Sequence, residues 1–217
     1  MLAIIQARLD SKRFPKKVLF NIYNDAIINR VYSRVKKAKK VTKVVVSIPA
    51  TKDNDELEKF CKRKKMLFYR GSKNNVALRM VKTAERFKFN SFIRISGDSP
   101  LIDPDIIDYA IKIYNKNRNI DVVTNSFKRS CPFGQSVEVI NLFSLKKILK
   151  ENINKDEKEH VTKFFYNNSK NYKICNFKFK RIKYKNFKFS IDSIKDLKKI
   201  LLKFNENQFN NLKLIKK

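Results

Sequence analysis

Asp98 and Asp192 each stand between the end of an apolar run and the start of an amphipathic one. Phe92 to Ile95 is a short apolar run with one Arg, the pattern of a buried strand. It stops at Ser96-Gly97, where glycine permits backbone angles that a side chain forbids. Asp98 follows at once. Asp103 then caps a helix with Pro104 at its first position and Ile107, Ala110, Ile111 and Tyr114 as its apolar stripe. Asp192 repeats the arrangement. Phe187 to Ile191 reads as a strand, Ser193 and Asp196 have capping-box spacing, and Ile194, Leu197, Leu201 and Phe204 continue a helix. An aspartate on such a turn is either an N-cap or solvated loop residue, or a metal ligand holding a phosphate where parallel sheets bind ligands. Two of them, from distant parts of the chain, could hold one Mg2+ between their oxygens and substrate phosphates.

The third component follows the first strand. Arg8, Lys12, Arg13, Lys16 and Lys17 crowd one segment, with Ser11 among them. A loop there can wrap a triphosphate, using backbone N–H groups for geometry and Arg or Lys for charge. Neither a GxxxxGK(S/T) loop nor a GxGxxG fingerprint is present, so ordinary NTPase and dinucleotide-binding readings lose support. In a basic protein these cations alone would be unremarkable. Combined with Asp98 and Asp192 they read as a nucleotide site.

The elements that must position these groups alternate. Strands are expected at Leu2 to Ala7, Lys43 to Ile48, Met66 to Tyr69, Phe92 to Ile95 and Asp121 to Thr124. Helices are expected at Asp25 to Lys37, about Asn54 to Lys64, and through Ala77, Met80, Val81, Ala84 and Phe87. This rhythm predicts an α/β fold: a three-layer, doubly wound, mostly parallel sheet of Rossmann-like type. After Asn125 the rhythm changes. A loop over Ser126 to Gly134 leads to a strand at Gln135 to Ile140 and helices near Leu142–Lys150 and Asp156–Asn167. No linker or repeat divides the chain, so residues 1–217 are read as a single domain whose rhythm changes between residues 1–125 and 126–217.

Composition adds limits. With 217 residues, 42% hydrophobic content and 18 Phe, the chain can build a core. No apolar run approaches the roughly 20 residues of a membrane helix. The start MLAIIQAR is too short and too quickly charged for a secretory signal, so the cytoplasm is expected. Cys61, Cys131 and Cys175 are too scattered for a disulfide framework or a zinc site. The net charge of +31 favours polyanions, but the lysines spread over the whole chain as biased composition on solvated faces also would. Between Tyr172 and Ile191, Phe177, Phe179, Tyr184, Phe187 and Phe189 interleave with lysines, the apolar parity slipping near Arg181 and Asn186. That pattern is either a surface for stacking single-stranded nucleic acid or two half-buried strands with lysines facing water.

The motifs together carry a resemblance. IIQARLDSKRFPKKVL is similar to the opening IIxARxGSxRxPGKxL of the CMP-sugar cytidylyltransferases (the acylneuraminate and KDO type). RISGDSPLIDPDIID, EHVTKFFY and FSIDSIKDL resemble three further motifs of the spore-coat-polysaccharide branch, in the same order, and FYRGSKNNVALR and GQSVEVI match more weakly. The resemblance implies a nucleotide-diphospho-sugar transferase fold, a homodimer, and the reaction CTP + sugar → CMP-sugar + pyrophosphate with Mg2+ as cofactor, the sugar expected to be a 2-keto-3-deoxy acid. It implies that residues 1–125 are the nucleotide-binding half and residues 126–217 the acceptor side with the second metal ligand, and it implies Arg8, Lys17 and Asp98 as catalytic residues. Gln6, Ala7, Arg8, Ser11, Arg13, Lys17, Arg70 and Gly97 would line the nucleotide, and Asp98 and Asp192 would ligate the metal. Ser136, Glu138, Glu159 and His160 would face the acceptor, although His160 is equally read as a structural histidine at a helix start. Asp10 and Lys16 stand where the pattern has loop glycines, Ser136 where it has an acid, and Ser99 where it has Cys. The competing reading is a catalytically impaired member of the fold that binds nucleic acid or another polyanion through its charge.

Overall fold

The computed structural model describes residues 1–117, 119–151, 153–179 and 182–215. The chain opens with β1 (Leu2–Gln6), a hairpin of β2 (Asn21–Ile22) and β3 (Asp25–Ala26), and α1 (Ile27–Lys36). There follow β4 (Lys43–Pro49), α2 (Asp55–Arg63), β5 (Phe68–Gly71), α3 (Val76–Arg86), β6 (Ser91–Ser96) and α4 (Pro104–Lys116). The remainder holds β7 (Val122–Thr124), β8 (Glu138–Asn141), α5 (Leu142–Ile148), α6 (Lys155–Glu159), α7 (Lys163–Asn167), β9 (Ile174–Asn176), α8 (Ile194–Lys203) and α9 (Glu206–Asn211).

The main sheet has the order β5-β4-β1-β6-β8-β7-β9, with β8 antiparallel to both its neighbours and the other pairs parallel. Alternate strand residues enter two separate apolar clusters. Ala3, Ile5, Val44, Val46, Ile93 and Ile95 pack with α1 and α4, while Leu2, Ile4, Val45 and Phe92 pack with α3 and α5. Both faces are therefore covered, which is why these strands read as continuous apolar runs. From β1 the chain winds outward through β4 to β5, then returns past β1 to β6. That reversal opens a crevice beyond the carboxyl ends of β1 and β6, where doubly wound sheets bind ligands.

The expected three-layer architecture is present, and the departures from expectation have local causes. Asp25 and Ala26 pair with β2, so the first helix starts at Ile27. The expected helix over Asp156–Asn167 breaks after Glu159, because Val161 and Thr162 turn into the core. Gln135 is not in a strand. Its buried side chain donates to Leu101 O (2.8 Å) and accepts from Asp103 N (2.9 Å), tying the turn before β8 to the start of α4.

The largest correction concerns Tyr172–Ile191. Among the described residues there only Ile174–Asn176 forms a strand, Ile182 makes a single antiparallel bridge with Ile215, and Phe187–Ile191 is irregular. Lys180 and Arg181, where the alternation first slips, lie outside the described residues. Phe177 and Phe179 pack on Tyr109, and Phe187 and Phe189 pack on Phe204. These four rings serve the core, and the more exposed Tyr184 packs edge-on against Phe189 and Phe204, so none of the five stands free as a stacking platform for bases.

Gly134 holds the irregular segment in place. Its φ is +88°, and a Cβ there would lie 2.4 Å from Ser190 N and 2.5 Å from the carbonyl carbon of Phe189. Phe189 N donates to Phe133 O (2.7 Å) and Ile191 N to Asp98 O (2.9 Å), so this contact delivers Asp192 to the crevice. Gly134→Ala adds left-handed strain of roughly 1–3 kcal/mol on top of the clash. Its urea midpoint should fall clearly below that of the wild type. An unchanged midpoint would mean that Phe189–Ile191 is not held by this approach.

Candidate active site

The basic loop is anchored from beneath. Leu9 and Phe14 are buried, Leu9 N donates to the buried Asn54 Oδ1 (2.9 Å), and Lys16 N donates to Leu9 O (2.9 Å). With its apolar side chains turned inward, the loop presents Ser11, Lys12 and Arg13 to the crevice. Lys16 adopts φ 55°, ψ 18°, the left-handed region that favours glycine, and its ammonium lies 2.6 Å from Glu56. Asp10 is not in that region. It pairs with Lys73 at 3.2 Å.

Lys17 turns the other way. Its buried ammonium lies 2.8 Å from Asp98 Oδ2, 2.8 Å from Ile191 O and 3.2 Å from Asp192 Oδ1. The second oxygen of each carboxylate is held separately. Asp98 Oδ1 accepts from Ser96 Oγ (2.7 Å) and Ser99 Oγ (3.3 Å), while Asp192 Oδ2 lies 2.7 Å from Lys188 Nζ. Burial works against the Asp192 charge, but Lys188 and Lys17 outweigh it and keep the carboxyl below the ordinary aspartate range. The capping box of Ser193 and Asp196 fixes the backbone just beyond.

Gly97 is required for closeness. A Cβ there would meet Gln6 O at 2.8 Å, and its N–H donates to the same oxygen (2.8 Å). The expectation of a special backbone angle is corrected: among the described residues only Gly134 is a positive-φ glycine. Gln6, Ala7, Arg8, Ser11, Arg13, Lys17, Asp98 and Asp192 line one cleft of about 600 Å³. Arg70 does not join them. It is engaged by Asp55 (2.7 Å), Glu58 (2.5 Å) and Thr51 O (2.7 Å) on the side of α2. Arg79, wholly buried on α3, senses the charges of both Arg8 and Asp10. Burial and Arg8 pull its pKa down to about 10 against the pull of Asp10.

A second pocket of about 550 Å³ adjoins the first, sharing Arg94, Ser96 and His160 with it. Ser136 sits there and accepts from Arg129 Nη1 (3.1 Å), whose guanidinium lies 4.3 Å from the Phe133 ring centre. His160 is exposed, with Nε2 3.5 Å from Asp156, and Glu159 reaches across the cleft to Arg8 (3.0 Å). Glu138 is a hub of the wall rather than a free group. One oxygen accepts from Thr162 Oγ1 and Tyr166 Oη (2.7 Å each), and the other binds Arg94, which also donates to Gln6 Oε1 (3.0 Å). Sequence reasoning passed over Arg94, Thr162, Tyr166 and Lys188. The lone Arg in the Phe92–Ile95 run was the available signal, since a charge in a buried strand requires a partner.

Asp98 and Asp192 offer hard oxygen donors gathered around one cationic position, a set that suits Mg2+. Among the described residues no group of three or more His, Cys, Asp or Glu could hold a metal without help. A Mg2+ ion held by this pair would need further ligands from substrate or water, the usual habit of Mg2+ at phosphate sites.

A doubly wound sheet whose switch point carries a basic loop and two carboxylates defines a nucleotide-handling transferase. The chain belongs to the cytidylyltransferase family, whose model matches residues 2–215, and it is a nucleotidyltransferase that uses CTP. It is 30% identical over 199 residues to an uncharacterized protein of Methanocaldococcus jannaschii, covering 91% of this chain and 80% of that one. It is 29% identical over 180 residues to the spore coat polysaccharide biosynthesis protein SpsF of Bacillus subtilis, covering 80% and 73%. The solved cytidylyltransferase of Leptospira borgpetersenii superposes with a TM-score of 0.87 at 27% identity, over 95% of this chain and 89% of the other.

The Glu138 hub gives a pH prediction. Burial pushes its carboxyl up, but Arg94, Tyr166 and Thr162 together hold it below the ordinary Glu value. Such a group contributes stability above its unfolded pKa that is lost as pH falls through its folded pKa. Glu138→Gln should therefore lower the melting temperature at neutral pH and flatten its decline below about pH 4. Parallel melting curves for both proteins across that range would show that folding does not lower the Glu138 pKa.

Proposed function

We propose that this cytidylyltransferase transfers CMP from CTP to a sugar acid of the 2-keto-3-deoxy class, supplying a CMP-sugar for surface glycan synthesis. The observation that carries the reading is the pair of adjoining pockets, one lined by the basic loop and carboxylates, the other by serine, threonine and tyrosine hydroxyls together with Arg94, Arg129, Lys163 and Glu138. Names of relatives point the same way. The 3-deoxy-manno-octulosonate cytidylyltransferase of Geobacter metallireducens is 33% identical over 109 residues, half of this chain and 42% of that one. SpsF acts in spore coat polysaccharide biosynthesis.

In this reading residues 1–125 carry the nucleotide, and residues 126–217 bring the acceptor and Asp192. Arg8, Ser11, Arg13 and Lys17 bind the triphosphate along the loop and steady the charge that grows on the departing pyrophosphate. Arg94 and Glu138 shape the boundary between the pockets, so that a sugar hydroxyl beside Ser136 and His160 approaches the α-phosphorus from the side opposite the leaving group. Asp98 and Asp192 would hold Mg2+, which supplies positive charge for the phosphate oxygens when bound. The reading includes a homodimer and a cytoplasmic location. No helix among the described residues is long and apolar enough to cross a membrane.

The test is pyrophosphate release with each NTP, Mg2+ and a panel of sugar acids, with neutral sugars as controls. CTP with a sugar acid should be preferred. Asp98→Asn and Asp192→Asn should each cost at least about a hundredfold in kcat, and the double variant should resemble the worse single one. Lys17→Ala should weaken CTP binding. Turnover of neutral sugars alone would replace the acceptor class, and near-native rates for Asp192→Asn would remove Asp192 from the site.

A further inference from the structure

The cations best placed to receive a triphosphate are already paired with carboxylates across the cleft. Lys17 bridges Asp98 and Asp192, Arg13 lies 3.5 Å from Asp192, and Arg8 lies 3.0 Å from Glu159. Lys17 is the one among them that is buried, its side chain 11% exposed. Its ammonium cannot trade these oxygens for bulk water, so it leaves them only for another negative group.

The two carboxylates are built for that departure. Lys17 touches Asp98 Oδ2 and Asp192 Oδ1, whereas Asp98 Oδ1 is held by Ser96 and Ser99 and Asp192 Oδ2 by Lys188. When the ammonium leaves, both side chains stay anchored by one oxygen and present the other. A divalent cation arriving beforehand would meet an ammonium of like charge in contact with both oxygens it needs.

Resting on the reading of this cleft as a CTP and Mg2+ site, we infer that Lys17 is a resident counter-ion that closes the carboxylate pair to divalent metal until a triphosphate draws its ammonium away. Nucleotide and metal then enter by exchange of partners: Lys17 passes from carboxylate to phosphate as Asp98 Oδ2 and Asp192 Oδ1 pass from ammonium to metal. Each ligand raises the affinity of the other, and by linkage the effect is reciprocal.

The experiment is a titration of the full chain with Mn2+, read as free metal by electron paramagnetic resonance, without nucleotide. Wild type should bind weakly, and Lys17→Met should bind at least about tenfold more tightly. In this nucleotide-free titration Lys12→Met, which removes a charge from the same loop without touching either carboxylate, should bind Mn2+ as weakly as wild type. Adding CTP should strengthen Mn2+ uptake more in wild type than in Lys17→Met, the association of Mn2+ with CTP in solution being common to both. Nucleotide-free binding by wild type as tight as that of Lys17→Met overturns the inference, as does an equal gain in Lys12→Met. Should Lys17→Met fail to fold by circular dichroism, the wild-type titration decides: tight Mn2+ binding without CTP refutes the inference, and a site that appears only with CTP supports it. If wild type binds CTP yet takes up no Mn2+ beyond that of the free nucleotide, the reading of Asp98 and Asp192 as metal ligands fails as well.

Discussion

One buried ammonium sets the geometry of this enzyme. Lys17 Nζ draws together the loop after β1, the turn after β6 and the segment before α8, from positions 81 and 175 residues away. A charge in that place is costly unless it is paired, so every conformation of the loop that fails to deliver Lys17 to Asp98 and Asp192 is disfavoured. The two close glycine contacts serve the same convergence. Gly97 lets the β6 turn lie against the end of β1, and Gly134 lets Ser190 approach its backbone. The apolar anchors Leu9 and Phe14 supply the opposing constraint, holding the loop down while its cations face the crevice.

A second buried polar network stands in the wall of the second pocket and meets the first on β6. Glu138 gathers Arg94, Thr162 and Tyr166, and Arg94 continues to Gln6 at the end of β1. Burial and the Glu138 charge push the Tyr166 phenol up, which keeps it a hydrogen-bond donor. Because β6 carries Arg94 toward one network and Ser96 and the turn with Asp98 toward the other, the register of this strand fixes how the two pockets face each other. The break between α6 and α7 belongs to this network too. A continuous helix would carry Thr162 past Glu138, so the hydrogen bond and the burial of Val161 outweigh the lost helical turn.

The parts of the site legible in the sequence were those in which local chemistry and long-range role coincide. Asp98 after an apolar strand, Asp103 before Pro104, and the Ser193–Asp196 box all announce a turn by residue type, and the structure contains all three turns. Lys16 was visible only as a residue in a glycine's place. Its left-handed backbone explains why glycine suits that position. Phe187–Ile191 misled because aromatic alternation is the signature of a strand, whereas here the rings are buried by Phe204 of the following helix end without any strand partner. Arg70 misled in another way: its contacts with Asp55 and Glu58 belong to α2, and nothing local distinguishes a cation for phosphate from a cation for a neighbouring helix.

The same distinction governs the net charge of +31. A field of that sign raises the local concentration of any polyanion and speeds the arrival of a triphosphate, but salt screens it over about 10 Å. Selectivity must come from cations whose position is determined, and in a chain with 51 Lys and Arg that property is set by burial rather than by abundance. Lys12 and Arg13 are exposed and can follow a ligand, whereas Lys17 is buried, with three oxygens around it. The residue least like the rest of the basic surface is therefore the one whose position in the cleft is fixed.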